Sequence, residues 1–229
     1  MRRVLVVDDE PRIRTVLRGY LEAEGFEVSE AGDGESALRI LAEYRPDVVL
    51  LDVMMPGLDG LEALRRLRET SDVYVILLTA RAEEVDKLVG LAVGADDYVT
   101  KPFSAREVTA RVKAVLRRDR GERPAASEIL HFDGLRIDRA GREVQRDGQV
   151  VRVSSLEFDL LAALAGAPGR VFSRRQLLES VWGYDFYGDE RVVDVHVRSL
   201  RNLLHDDAAE PELIATVRGV GYKFVGRPQ

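Results

Sequence analysis

The 229-residue chain predicts two folded parts of different class. Residues 1–118 read as α/β, a doubly wound five-stranded parallel sheet, and residues 128–226 read as a smaller α+β domain. Three observations carry this. Short apolar runs alternate with amphipathic segments through the first half, as in repeated βα units. The run Val48-Val49-Leu50-Leu51 is apolar at every position, as a strand covered on both faces must be. In the second half, strand-like pieces come first and helical stretches follow.

The strand-like runs of the first part are residues 4–7, a weaker 26–29, 48–51, 73–78 and 97–99, with room for five helices. Residues 117–127 are polar and aperiodic, so 119–127 are expected to form a linker. Beyond it, Asp133-Gly134, Ala140-Gly141 and Asp147-Gly148 signal tight turns. Three helical stretches then follow. The first, 154–164, has Ser154 or Ser155 as its cap and Glu157 in the capping-box position, and the second, 173–182, is capped by Ser173. The third covers 189–205. A hairpin around Arg218-Gly219-Val220-Gly221 closes the chain. Two helices before an exposed third predict helix-turn-helix geometry.

Composition narrows the function. With 45% apolar and 32% charged residues the chain is neither disordered nor membrane-spanning, since its longest apolar runs fall well short of the roughly 18 residues a span needs. The apolar run after Met1-Arg2-Arg3 is too short for an export signal, so a cytoplasmic location is expected, with no membrane partner. Absence of cysteine excludes disulfides, thiolate metal sites and a cysteine nucleophile. There are 18 Lys and Arg against 22 Asp and Glu up to residue 118, and 16 against 18 beyond it. Neither half is basic, so any nucleic-acid contact must be local.

In an open α/β sheet, ligands bind beyond the carboxyl ends of the strands. Those ends carry Asp8-Asp9, Asp52, Thr79-Ala80 and Thr100-Lys101-Pro102. Three converging carboxylates repel unless a cation sits among them. Mg²⁺ suits an all-oxygen set and takes one or two carboxylates plus a phosphate oxygen. A carboxylate beside it can attack phosphorus, with Lys101 and Thr79 neutralising and hydrogen-bonding the phosphoryl oxygens. Singly, these residues have plainer readings: Asp9 before Pro11 suits a helix N-cap, and Thr79 suits a cap for a helix starting near Glu83.

Together, Asp8-Asp9-Glu10, the segment from Leu51 to Gly60, Thr79-Ala80, Gly94-Ala95-Asp96-Asp97-Tyr98 and Lys101-Pro102-Phe103 resemble the flavodoxin-like receiver domain of bacterial response regulators. The resemblance implies that Asp52 accepts a phosphoryl group from a sensor histidine kinase. Asp9, Asp52 and the Met54 carbonyl would hold Mg²⁺, with Asp8 assisting. Thr79 and Tyr98 would form the switch pair, and Lys101 would contact phosphate. Two rivals fit less well. A flavodoxin-like nucleotide binder needs a glycine-rich turn where this chain has Asp-Asp-Glu. A phosphatase of the haloacid dehalogenase class carries an Asp two residues after its nucleophile, and Met54 stands there.

Glu107, Arg111 and Arg118 share one helical face. By themselves they read as an ordinary solvated surface of weak ion pairs. In OmpR/PhoB-type regulators, which the chain resembles, the fourth helix, fifth strand and fifth helix of the receiver form a two-fold face. The resemblance implies intermolecular pairs there: Lys87 with Glu107, Asp97 with Arg111, and Asp96 with Arg118.

On the third helix of the second part, Val193, Val197, Leu200 and Leu204 fall on one side, and Arg191, Val195, Arg198 and Asn202 on the other. Asp194, Ser199 and Arg201 flank them. Arginine, an amide and a small apolar group suit the major groove, although the same stripe suits a solvated face. His196 lies at the core boundary, where a structural histidine fits at least as well as a DNA contact, and Trp182 reads as core first and a backbone contact second. The segments around Leu156–Leu161, Arg191–His196, Leu200-Arg201 and Arg218–Tyr222 resemble the winged-helix effector of OmpR/PhoB regulators. That implies Arg191, Val195 and Arg198 in the major groove, Arg201 near phosphate and Arg218 on the wing. His196, Ser199, Asn202 and Tyr222 complete the expected set. Ser199 and Asn202 stand where relatives are often basic, which implies a shallower salt dependence and more reliance on dimerisation.

The function expected is therefore phosphorylation-dependent transcriptional regulation without enzymatic turnover. Expected partners are a histidine kinase, double-stranded DNA bearing direct-repeat half-sites, RNA polymerase and a second copy of the chain. The alternative is a phosphorylation-controlled protein-binding module that has lost operator recognition.

Overall fold

Strands that are apolar at nearly every position build the centre of the first unit. In order along the chain, β1 (Arg3–Val7), α1 (Pro11–Ala23), β2 (Glu27–Ala31), α2 (Gly34–Tyr44), β3 (Val48–Asp52), α3 (Gly60–Arg68), β4 (Tyr74–Ala80), β5 (Asp97–Lys101) and α4 (Ala105–Arg117) make it up, the helices being numbered among the described residues. The structure is a computed structural model that describes residues 1–80, 94–117, 129–183 and 190–229. The five strands are parallel in the order β2-β1-β3-β4-β5. Chain direction across the sheet reverses between β1 and β3, which opens a crevice at their carboxyl ends. Val4, Val6, Leu50, Ile76 and Leu78 pack beneath Leu17, Leu21, Val108 and Val112 of α1 and α4, all essentially without exposure. β2 begins at Glu27, with Phe26 packed into this core.

Contacts divide the chain into two compact units, Met1–Arg117 and Arg118–Gln229. The expected linker 119–127, Lys87, Arg118 and the helix foreseen near Glu83 lie outside the described residues. The second unit opens with an antiparallel sheet of β6 (Ile129–Phe132), β7 (Leu135–Asp138), β8 (Glu143–Arg146) and β9 (Gln149–Val151). The β8–β9 turn has positive φ at both Asp147 (51°) and Gly148 (79°), the backbone that a two-residue hairpin of this hand requires. Then come α5 (Ser155–Ala165), β10 (Val171–Ser173), α6 (Arg174–Val181), α7 (Arg191–Leu204), β11 (Ile214–Val217) and β12 (Gly221–Phe224). Capping boxes start α5 at Ser154/Glu157 and α6 at Ser173/Gln176. β12 lies between β11 and β10 in an antiparallel sheet. Leu160, Leu161, Trp182, Val193, Val197, Leu200 and Phe224 form the core, and Trp182 is fully buried beside the His196 ring. No described helix is long and apolar enough to cross a membrane.

One glycine fixes how α3 meets β3. A Cβ on Gly60 would lie 2.0 Å from the Asp52 carbonyl oxygen and 2.8 Å from the Val53 Cα, both of them backbone atoms. Only a residue without a side chain lets α3 begin against the end of β3. Gly60→Ala is expected to lower the stability of the first unit by about 2–3 kcal/mol in urea unfolding of the full chain, an overpacking cost.

Candidate functional site

The strand ends bring the predicted carboxylates together. Asp8 follows β1, Asp52 ends the neighbouring β3, and each of Asp8, Asp9 and Asp52 offers an oxygen within 4.8 Å of the others. Asp8 and Asp52 are buried, at 0% and 2% exposure, while Asp9 faces solvent. Asp9 does not cap α1: Glu10 holds that position, without a side-chain cap. Lys101, at the end of β5, reaches across β4 to place Nζ 2.8 Å from Asp8 Oδ2 and 3.0 Å from Asp52 Oδ2. Asp8 Oδ1 also accepts from the Glu10 N–H at 2.9 Å, and Asp52 Oδ1 from the Met54 N–H at 3.4 Å.

Burial pushes the Asp52 carboxyl up from the ordinary carboxylate value, and Lys101 offsets only part of that rise. Burial alone would lower the Lys101 ammonium, but its hydrogen bonds and charge pairing with Asp8 and Asp52 leave it raised. A partly buried cation between two buried carboxylates marks where positive charge is needed. Three hard oxygen donors with a solvent-facing third member fit a hydrated Mg²⁺.

Thr79 is buried near the end of β4, one residue past Leu78, which is the partner of Asp52 on β3. Tyr98 lies partly exposed on β5, opposite Leu77. The charges expected on a two-fold face behave differently. Arg111 donates to Asp97 Oδ2 at 2.8 Å and to Glu107 Oε1 at 3.1 Å within the same chain. Asp96 has no exposure and accepts from Arg68 Nη2 at 2.8 Å and the Val75 N–H at 2.7 Å. That corrects the expectation for Asp96: it ties α3 to the start of β5 from inside. These partners lie 28 and 21 residues away, beyond what local spacing reveals.

On α7, Arg191, Arg198 and Asn202 are exposed, and Val195 and Ser199 are partly so. Arg218 is exposed between β11 and β12. Three residues of the expected DNA-facing set turn inward instead. Arg201 is buried and donates to the Ile214 carbonyl at 2.6 and 3.1 Å and to Thr216 Oγ1 at 2.9 Å, so it joins α7 to β11 and does not face phosphate. His196 is fully buried against Trp182. Tyr222 is 5% exposed, and its hydroxyl donates to Asp194 Oδ1 at 2.7 Å. Asp194 Oδ1 also accepts from Arg174 Nε at 2.7 Å, linking α6, α7 and β12. The sequence reading missed this Asp194 junction and the three-residue β10.

Comparison with known proteins adds the decisive observation. Residues 4–113 match the response regulator receiver domain, and residues 148–224 match the C-terminal domain of transcriptional regulatory proteins. The chain is 48% identical over 222 residues to the DNA-binding response regulator MtrA of Mycolicibacterium smegmatis, covering 97% of this chain and 96% of that one. The chain belongs to the OmpR/PhoB-type response regulators. A second relative, the transcriptional regulatory protein SrrA of Staphylococcus aureus, is 45% identical over 227 residues, covering 96% and 94%. Among solved structures, a RitR mutant has a TM-score of 0.81 at 30% identity, covering 98% of this chain and 99% of that one. The Thermotoga maritima OmpR/PhoB homologue DrrB has a TM-score of 0.53 at 36% identity, covering 99% and 100%. The response regulator thus consists of a receiver followed by a DNA-binding effector of the transcriptional regulators.

Two outcomes follow for its effector. Arg201→Met is expected to destabilise that unit by roughly 2–4 kcal/mol in urea, because the buried Ile214 carbonyl and the Thr216 hydroxyl lose a charged donor. The salt slope of DNA binding should stay unchanged, whereas loss of a phosphate contact would reduce it by about 0.9. The Tyr222 phenol is held up to about 12, from 10.0, by burial and then by Asp194. Between those values the folded state keeps a proton that the unfolded state loses, so stability falls as pH rises through that window. Burial holds the Tyr44 phenol up to about 12 as well, so absorbance titration should show both as late-ionising, with Tyr222→Phe removing one of them and leaving the Tyr44 contribution in place.

Proposed function

We propose that the response regulator is switched by phosphorylation of Asp52 and, once switched, binds paired DNA half-sites as a dimer. The observation that carries this is the convergence of Asp8, Asp9 and Asp52 around the Lys101 ammonium at the sheet's topological switch point. An Asp52 oxygen forms a bond to phosphorus as the phosphorus–nitrogen bond of a kinase phosphohistidine breaks, and the histidine leaves with the electron pair. Lys101 is placed to neutralise the phosphoryl oxygens. Asp9, Asp52 and the Met54 carbonyl would hold Mg²⁺, assisted by Asp8. The ion supplies charge neutralisation for the transferring group. Thr79 then turns toward the phosphoryl oxygens, and Tyr98 follows it.

Self-association is assigned to the surface carrying β5 and α4, where Glu107 stays half-exposed. Arg111 starts from pairs within its own chain, so phosphorylation biases the dimer without making it absolute. Arg191, Val195, Arg198 and Asn202 enter the major groove, and Arg218 reaches the minor groove. Ser199 borders that surface. A histidine kinase and RNA polymerase are the protein partners, and the cytoplasm is the location.

The test is incubation with acetyl phosphate. Label should enter the wild-type chain only with Mg²⁺, and Asp52→Asn should reduce incorporation to background. Sedimentation should show more dimer in the labelled protein than in the variant. Equal labelling of the two proteins, or labelling in excess chelator, would refute the reading.

A further inference from the structure

We propose that Arg14 is a positioning residue for the carboxylate pocket, fixing the peptide between Asp8 and Asp9 so that both side chains address one divalent cation. The inference rests on the Mg²⁺ reading above and deepens it. Arg14 lies in the first turns of α1 and is only 17% exposed. Its Nη1 donates to the Asp8 carbonyl oxygen at 2.5 Å. Its Nε donates to Glu30 Oε2 at 3.3 Å, on β2, and Arg18 pairs with the other oxygen of Glu30. Behind it, the Asp8 N–H donates to the Ala31 carbonyl at 3.2 Å. The loop after β2 closes over the guanidinium, since a Cβ on Gly32 would stand 3.5 Å from Nη1.

Asp8 and Asp9 differ in what holds them. The Asp8 carboxylate is fixed directly, by Lys101 and the Glu10 N–H. Asp9 is exposed, and among the described residues no hydrogen bond holds its carboxylate. Its direction is therefore set by the backbone from which it leaves, and the carbonyl immediately before it is the one Arg14 grips. A guanidinium makes this grip with two separate nitrogens, one on the carbonyl and one on Glu30. A lysine ammonium is a single point charge and cannot span both partners in the same way. Charge alone predicts the opposite effect, because a cation near the pocket repels a divalent ion. The two accounts thus differ in sign.

The experiment is Mg²⁺ titration of the full chain by calorimetry, for wild type, Arg14→Lys and Arg14→Gln, with thermal midpoints recorded in chelator. Positioning predicts that both variants bind Mg²⁺ about tenfold or more weakly, the usual cost of losing an outer-shell partner. The midpoint without Mg²⁺ reports any structural share separately. Unchanged binding in Arg14→Lys together with equal or tighter binding in Arg14→Gln would overturn the assignment. Should those variants not fold, Glu30→Ala carries the test, since it leaves the guanidinium present but unanchored. A smaller loss in the same direction then supports the role, and unchanged affinity overturns it. A wild-type chain that takes up no Mg²⁺ would overturn the metal reading itself, and this inference with it.

Discussion

Two carboxylates that would repel each other are buried side by side at the ends of β1 and β3, and the Lys101 ammonium between them is what makes that arrangement tenable. Its nitrogen sits 2.8 Å from one and 3.0 Å from the other. Removing one member of such a buried set leaves charge uncompensated, at a cost on the order of 3–5 kcal/mol. The strand order follows from the same requirement. β1 and β3 must be neighbours to bring Asp8 and Asp52 together, and β4 spaces β5 so that a long side chain spans the gap. Gly60 lets α3 start directly against this cluster, and Arg14 ties its other flank to β2.

Arginines divide the remaining work between structure and recognition. In a chain of net charge −6, several of them are spent internally. Arg68 holds Asp96, Arg111 holds Asp97 and Glu107, and Arg201 holds the Ile214 carbonyl. Arg191, Arg198 and Arg218, on α7 and in the following hairpin, are exposed instead, and they are the arginines on which the proposed DNA contact draws. Asp194 braces these two elements by accepting from Arg174 and Tyr222 at once, which fixes the hairpin against α7.

Much of this was legible in the sequence because it depends on local pattern. Continuous apolar runs gave the parallel strands, and the residue after each run gave the acidic pocket without any knowledge of distances. Ser154 with Glu157 and Ser173 announced the starts of α5 and α6. What escaped depends on partners far along the chain. Arg201 sits on the flank of its helix, where a long side chain can turn outward to phosphate or inward to a carbonyl 13 residues away, and spacing cannot decide between them. Asp96 and Asp97 are adjacent and chemically identical, yet one is claimed by Arg68 and the other by Arg111. β10 is three residues long and exists because β12, some fifty residues later, pairs with it.

The central claim is electrostatic, so the titration of one carboxyl tests it most directly. Carbon-detected NMR of Asp52 in Mg²⁺-free wild type and Lys101→Met would follow that group through acid pH. The account predicts a midpoint above 3.8 in the wild type, because burial outweighs the ammonium, and a still higher midpoint once the ammonium is gone. A wild-type midpoint at or below 3.8, unmoved by the substitution, would contradict it.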